Sequence, residues 1–145
     1  MKQRVLIVDG HSVIFRWEDL REKHQRSTAT TREELIRLLT RFQDNTGTHV
    51  VVVFDGRGSK TTQEDEPGGI QIFYSRAGQT ADSVIERLVA KYAQNFEICV
   101  ATDDTMERTT VSSFGARWIN TVQLRAEMDE ANSDIRDRLK NLHRR

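Results

Sequence analysis

Apolar residues along the chain fall into two kinds of run, and each kind predicts an element. Charge-free runs of β-formers, Val5, Leu6, Ile7 and Val8, then Val50 to Phe54, then Ile98 to Ala101, show no alternation with polar residues. That is the pattern of central parallel strands covered on both faces. They predict strands over 4–8, 49–54 and 97–101, with weaker ones over 70–74 and 116–119, the former alternating enough to sit at a sheet edge. Elsewhere the apolar spacing is three and four. Leu35, Ile36, Leu38, Leu39 and Phe42 form one such face, Ala81, Val84, Ile85, Leu88, Val89 and Tyr92 a second, and Leu124, Met128, Ala131, Ile135, Leu139 and Leu142 a third. Each face predicts an amphipathic helix. Thr30 or Thr31 is placed to cap the first, with Glu33 and Glu34 in its first turn and Gly47 beyond its end, and Thr80 is placed to cap the second. A helical turn at 13–15 and a short helix at 105–114 complete the series, and residues 16–31 read as a polar connection.

This order, β-α-β-β-α-β-α-β-α, predicts an α/β fold, a three-layer α/β/α sandwich with a mostly parallel central sheet. At 145 residues the expectation is one domain over 1–145. The stretch 56–69 holds four of the eight glycines and the only proline. By composition it reads as a disordered or functional loop.

The strand runs matter for chemistry because of where they stop. Asp9 follows the first, Asp55 the second, Asp103 and Asp104 the third, and Asp82 opens a helix. Parallel strands gather their carboxyl ends on one edge, where open α/β sheets bind ligands. Carboxylates gathered there repel one another unless a hard cation with oxygen ligands joins them. The pattern therefore predicts a site for Mg²⁺ or Mn²⁺, and phosphodiester cleavage is the leading chemistry. The bland readings are capping of the following helix by Asp9 or Asp104 and stabilisation of a helix dipole by Asp82. Glu86, four residues after Asp82, is a contingent ligand, and Asp103 is another. Arg57, Lys60, Arg76 and Arg108 are candidates to hold phosphates, and Ser12 and Thr80 are candidate substrate contacts beside the acids. His11 reads first as a loop residue, with a base or stacking role as the alternative. Trp17 and Trp118 read as packing residues, although Trp17 on its polar stretch is also a possible stacking platform.

Charge narrows the partners. Lys plus Arg and Asp plus Glu number 22 each, so the whole molecule exerts no general pull on nucleic acid, and RNA binding must come from a local patch. A single cysteine, Cys99, excludes an internal disulfide and a multi-thiolate metal site, and its place in an apolar strand makes it a buried small hydrophobe. The start of the chain is too short in apolar residues for a secretory segment or a membrane span, which predicts a soluble cytoplasmic protein.

Taken in order, Val8-Asp9-Gly10-His11-Ser12-Val13-Ile14, Val53-Phe54-Asp55-Gly56, Gln79-Thr80-Ala81-Asp82 and Val100-Ala101-Thr102-Asp103-Asp104 resemble the YacP-type NYN domains, a branch of the PIN-like nuclease fold. The resemblance spans nearly the whole chain, and Thr80-Ala81-Asp82 after Phe73-Tyr74-Ser75-Arg76 is its most specific part. It implies a PIN-like fold and a metal-dependent endoribonuclease acting on RNA, including messenger RNA on the ribosome. By position the implied ligands are Asp9, Asp55, Asp82 and Asp104. Ser12 stands where the family commonly has Asn, and Asp103 where it usually has a small hydroxyl residue. The alternatives are a catalytically weak RNA- or ribosome-binding module and a phosphoacceptor receiver-like domain. The receiver reading lacks parts, since Asp9 is followed by Gly10 instead of a second acid and 116–120 offers only Arg117. A haloacid-dehalogenase-type phosphatase needs a second Asp where His11 stands.

Overall fold

The computed structural model describes residues 2–56 and 69–143, together with the backbone of 62–65. Among them the elements run β1 (Gln3–Asp9), α1 (Gly10–Arg16), α2 (Glu18–Arg26), α3 (Thr28–Thr46), β2 (His49–Phe54), β3 (Thr62–Asp65), β4 (Gln71–Tyr74), α4 (Ala81–Tyr92), β5 (Phe96–Ala101), α5 (Thr105–Ser113), β6 (Arg117–Ile119) and α6 (Thr121–His143). The strands form one sheet in the order β3-β4-β2-β1-β5-β6. All neighbours are parallel except β3 and β4. The sandwich expected from the sequence is therefore present, with β1 near its centre.

The unalternating strand runs are explained by burial on two sides. Leu6, Val8, Val50, Val52 and Phe54 pack into one core with Leu20, Leu35, Leu39 and Leu124 from α2, α3 and α6. Their odd-numbered neighbours Val5, Ile7, Val51 and Val53 pack into a second core with Val84, Ile85, Val89 and Val111 from α4 and α5. Successive strand residues face opposite ways, so both sets must be apolar. Each fully buried Val, Leu or Ile contributes about 1.5–3 kcal/mol from the area it removes from water.

Three details depart from the sequence reading. The polar stretch 16–31 contains α2, which buries only Leu20 and so leaves too thin an apolar stripe to read. The cap of α3 is Ser27, whose Oγ accepts from the Thr30 amide at 3.2 Å, whereas Thr31 is buried and donates its hydroxyl to the Ser27 carbonyl at 2.8 Å. Finally, β4 is not an edge strand, because β3, within the stretch read as a loop, pairs antiparallel with it. At the other end of α3, Gly47 takes a left-handed φ of 73° and receives the helix terminus, as expected of glycine there.

The topology selects one place on the carboxyl edge. The connection from β1 to β2 runs through α1, α2 and α3 on one face, while β5 leads to β6 through α5 on the other. The chain thus departs from neighbouring strands β1 and β5 in opposite directions. A crevice opens outside their carboxyl ends, the usual ligand position in such sheets.

Candidate active site

Asp9 ends β1 in that crevice and is 5% exposed. Its Oδ1 accepts from the Ser12 amide at 3.3 Å, so it caps α1, and its Oδ2 accepts from Ser12 Oγ at 2.9 Å and Thr102 Oγ1 at 3.0 Å. The two hydroxyls in turn accept backbone amides from the far side of the crevice, Asp103 N on Ser12 Oγ and Asp104 N on Thr102 Oγ1, both at 3.2 Å. This lacing ties the end of β1 to the end of β5 and fixes the direction of the carboxylate. Ser12, through its hydroxyl, thereby helps to order the site. Gly10 lets the turn sit close to β2, for a Cβ on it would stand 2.5 Å from ring carbons of Phe54.

Asp55, Asp82 and Asp104 face the same cavity of about 230 Å³, which Asp9, His11, Ser12, Thr80 and Ala81 also line. Asp55 Oδ1 accepts the Ala81 amide at 3.0 Å, and its Oδ2 lies 3.6 Å from His11 Nδ1. Thr80 caps α4 through the Ser83 amide and places Asp82 in the first turn. Asp104 caps α5 by accepting from Met106 N at 3.0 Å, and its carboxyl lies near enough to that of Asp82 to raise its pKa. Capping and facing the site, read from the sequence as alternatives, coexist in this residue.

The acids perturb one another. Burial, the hydrogen bond with Asp104 and the charges of Asp9, Asp104 and Glu86 raise the Asp82 pKa to about 7. Glu107, on α5 and 3% exposed, is raised to about 9, chiefly by burial and then by its hydrogen bond with Glu86. Carboxyl groups kept protonated near neutral pH by burial and by neighbouring acids are of the kind that concentrate at functional sites. Among the described residues no three or more acidic, histidine or cysteine side chains are drawn together closely enough to form a ready-made metal cage. Asp9, Asp55 and Asp104 are instead held by the hydroxyls and amides named above.

Other expected site residues lie elsewhere. Asp103 turns away, its Oδ1 accepting from Thr121 N at 2.9 Å and its Oδ2 from Thr121 Oγ1 at 2.8 Å, so both oxygens clamp the start of α6. Glu86 lies behind Asp82 against Glu107. Arg108, expected to hold phosphate, lays its guanidinium 5.2 Å from the centre of the Trp118 ring. Arg76 is exposed in the turn before α4, where its carbonyl accepts from Gln79 N. Arg57 and Lys60 lie outside the described residues. Trp17 is buried and donates its ring N–H to the Thr121 carbonyl, which makes it a packing residue. Thr102 and Glu107 join the site without having been singled out for it, and His11, read first as a loop residue, lies on helix α1 and lines the cavity. The one legible signal was the position of Glu107, four residues before the core residue Val111 on the same helix.

A mostly parallel sheet whose carboxyl edge presents this acidic crevice defines a PIN-like α/β protein of the nuclease type. The chain belongs to the YacP-like NYN domain family, whose model matches residues 6–145 and whose members are generally nucleases, typically using divalent metals. It is 28% identical over 141 residues to the uncharacterised protein YacP of Bacillus subtilis (strain 168), covering 95% of this chain and 82% of that one. The crystal structure of Rae1 (YacP) from Bacillus subtilis matches with a TM-score of 0.79 at 28% identity, covering 97% of this chain and 82% of that one. Its W164L mutant matches with a TM-score of 0.81 at 27% identity, over 97% and 84%. No helix among the described residues is long and apolar enough to cross a membrane.

Proposed function

We propose that this chain, acting as one nuclease domain over 1–145, is a divalent-metal-dependent endoribonuclease that cuts RNA, with messenger RNA presented by the ribosome as its natural substrate. The observation that carries the reading is the convergence of Asp9, Asp55, Asp82 and Asp104, from four separate segments, on one cavity. Their donor set fits Mg²⁺ or Mn²⁺, since it offers only hard carboxylate oxygens gathered on one cavity. When bound there, such an ion supplies an activated water and neutralises charge on the leaving oxygen. The protein's part is positioning. Ser12 and Thr102 aim Asp9, the Ala81 amide aims Asp55, and Asp104 is held at the start of α5. Arg76, exposed in the turn before α4, is assigned to the substrate's phosphates, the role that the sequence also suggests for Arg57 and Lys60.

Cleavage of a labelled single-stranded RNA with Mn²⁺ or Mg²⁺, with EDTA controls, tests the proposal. Asp9→Asn and Asp82→Asn should each slow cutting on the order of a hundredfold or more, as loss of a metal ligand does. Activity unchanged in both would refute this site. RNA binding with no metal-dependent cutting would favour the binding-module reading, and labelling of Asp55 by acetyl phosphate would favour a phosphoacceptor.

A further inference from the structure

Beside the acidic crevice lies a second cavity, of about 250 Å³, whose wall is of a different kind. It is lined by Ile14, Phe15, His24, Arg32 and Phe54, and it shares His11 and Asp55 with the acidic cavity. Its lining is mostly aromatic. Phe15 is 45% exposed, unusual for so large an apolar side chain on a helix whose other apolar residues, Val13 and Ile14, are buried. Its ring is tilted against His11, with centroids 4.3 Å apart, and stands edge-on to His24 at 5.2 Å. At the floor, the Arg32 guanidinium lies 5.1 Å from the centre of the Phe54 ring and donates to the Asp55 carbonyl at 3.1 Å, so it is held in place. The Nδ1 of His24 is buried and has no hydrogen-bond partner among the described residues.

We infer that this cavity receives one nucleobase of a single-stranded RNA, that of a nucleotide adjoining the phosphate in the acidic crevice. Planar aromatic rings and an immobilised guanidinium suit the flat face of a base. The size suits a single base with its sugar. A bare phosphate would find mostly carbon on these walls. His11 stands between the two cavities, 3.6 Å from Asp55 on one side and against Phe15 on the other, so base and phosphate sites are neighbours. The position assigned to the nucleotide rests on the nuclease reading. The binding of a base does not.

The test is fluorescence anisotropy with short labelled homopolymers of uridine, adenosine and cytidine, with Ca²⁺ present, on the wild type, Phe15→Ala and Phe15→Trp. Thermal melts confirm that each variant is folded. Stacking on an aromatic side chain predicts about ten- to hundredfold weaker binding for Phe15→Ala, and little change for Phe15→Trp. An oligonucleotide with one abasic position at the bound nucleotide should bind the wild type weakly and erase the difference between wild type and Phe15→Ala. Equal affinity of the folded Phe15→Ala variant, equal losses in the Ala and Trp variants, or no RNA binding by the wild type would each overturn the inference. The two readings fail separately. Phe15-dependent binding without Mn²⁺- or Mg²⁺-dependent cleavage would sink the nuclease and leave the base pocket standing. Cleavage lost in Asp9→Asn but indifferent to Phe15→Ala would do the reverse.

Discussion

Replacing Glu107 by Gln exchanges a buried acid that keeps its proton for a neutral group of the same shape. In the folded chain Glu107 is raised from its ordinary 4.5 to about 9, by burial first, then by the hydrogen bond with Glu86 and the charges of Asp82, Glu86 and Asp104. In the unfolded chain it ionises near the ordinary value. Between those two pH values the folded state holds a proton that the unfolded state has released. Stability is therefore complete below about pH 4.5 and declines as pH rises toward 9. From pH 4.5 to 7, at about 1.4 kcal/mol per pH unit, the wild type forfeits about 3 kcal/mol. Gln has no such titration. Its amide can donate to Glu86 while its oxygen takes the place of Oε2, which is buried without a partner. Glu107→Gln should thus be more stable than wild type at pH 7 by about 3 kcal/mol, a rise of about 6–12 °C in melting temperature for a chain of this size. At pH 5 the difference should shrink to under about 1 kcal/mol. Urea and thermal unfolding in EDTA between pH 5 and 8 measure both. A variant destabilised equally at pH 5 and 7 would show that Glu107 is ionised in the folded chain and would refute the reasoning.

Two further substitutions probe the frame of the site. Gly10→Ala puts a Cβ against the Phe54 ring and should cost about 1–3 kcal/mol in urea unfolding, as overpacking does; a neutral result would mean that the turn can retreat from β2. Asp103→Ala removes both bonds to Thr121 and should cost about 1–2 kcal/mol as a lost helix clamp. It should leave intact any rise in melting temperature caused by Mn²⁺, which Asp82→Asn should abolish. Loss of that rise in Asp103→Ala would return Asp103 to the ligand set.

Strand identity was legible because it depends on local composition. Uncharged runs ending at Asp9, Asp55 and Asp103 admit few structures other than strands buried on both faces, and those strands appear in the sheet. Helix α2 was not legible, for it buries a single leucine, and neither was β3, whose one strand partner among the described residues is β4. Within the candidate site, the sequence by itself determined which acids follow strands. It did not determine where they point. Asp103 and Asp104 are adjacent in sequence, yet one clamps Thr121 on α6 while the other meets Asp82. That choice was made by where α6 begins, at Thr121 beside Asp103, and by the packing of α4 against α5. The neutrality of Glu107 and the aromatic cavity beside Phe15 likewise arise only when elements distant in sequence meet. Desolvation and ring contact are properties of enclosed space, and enclosure is decided by the tertiary structure.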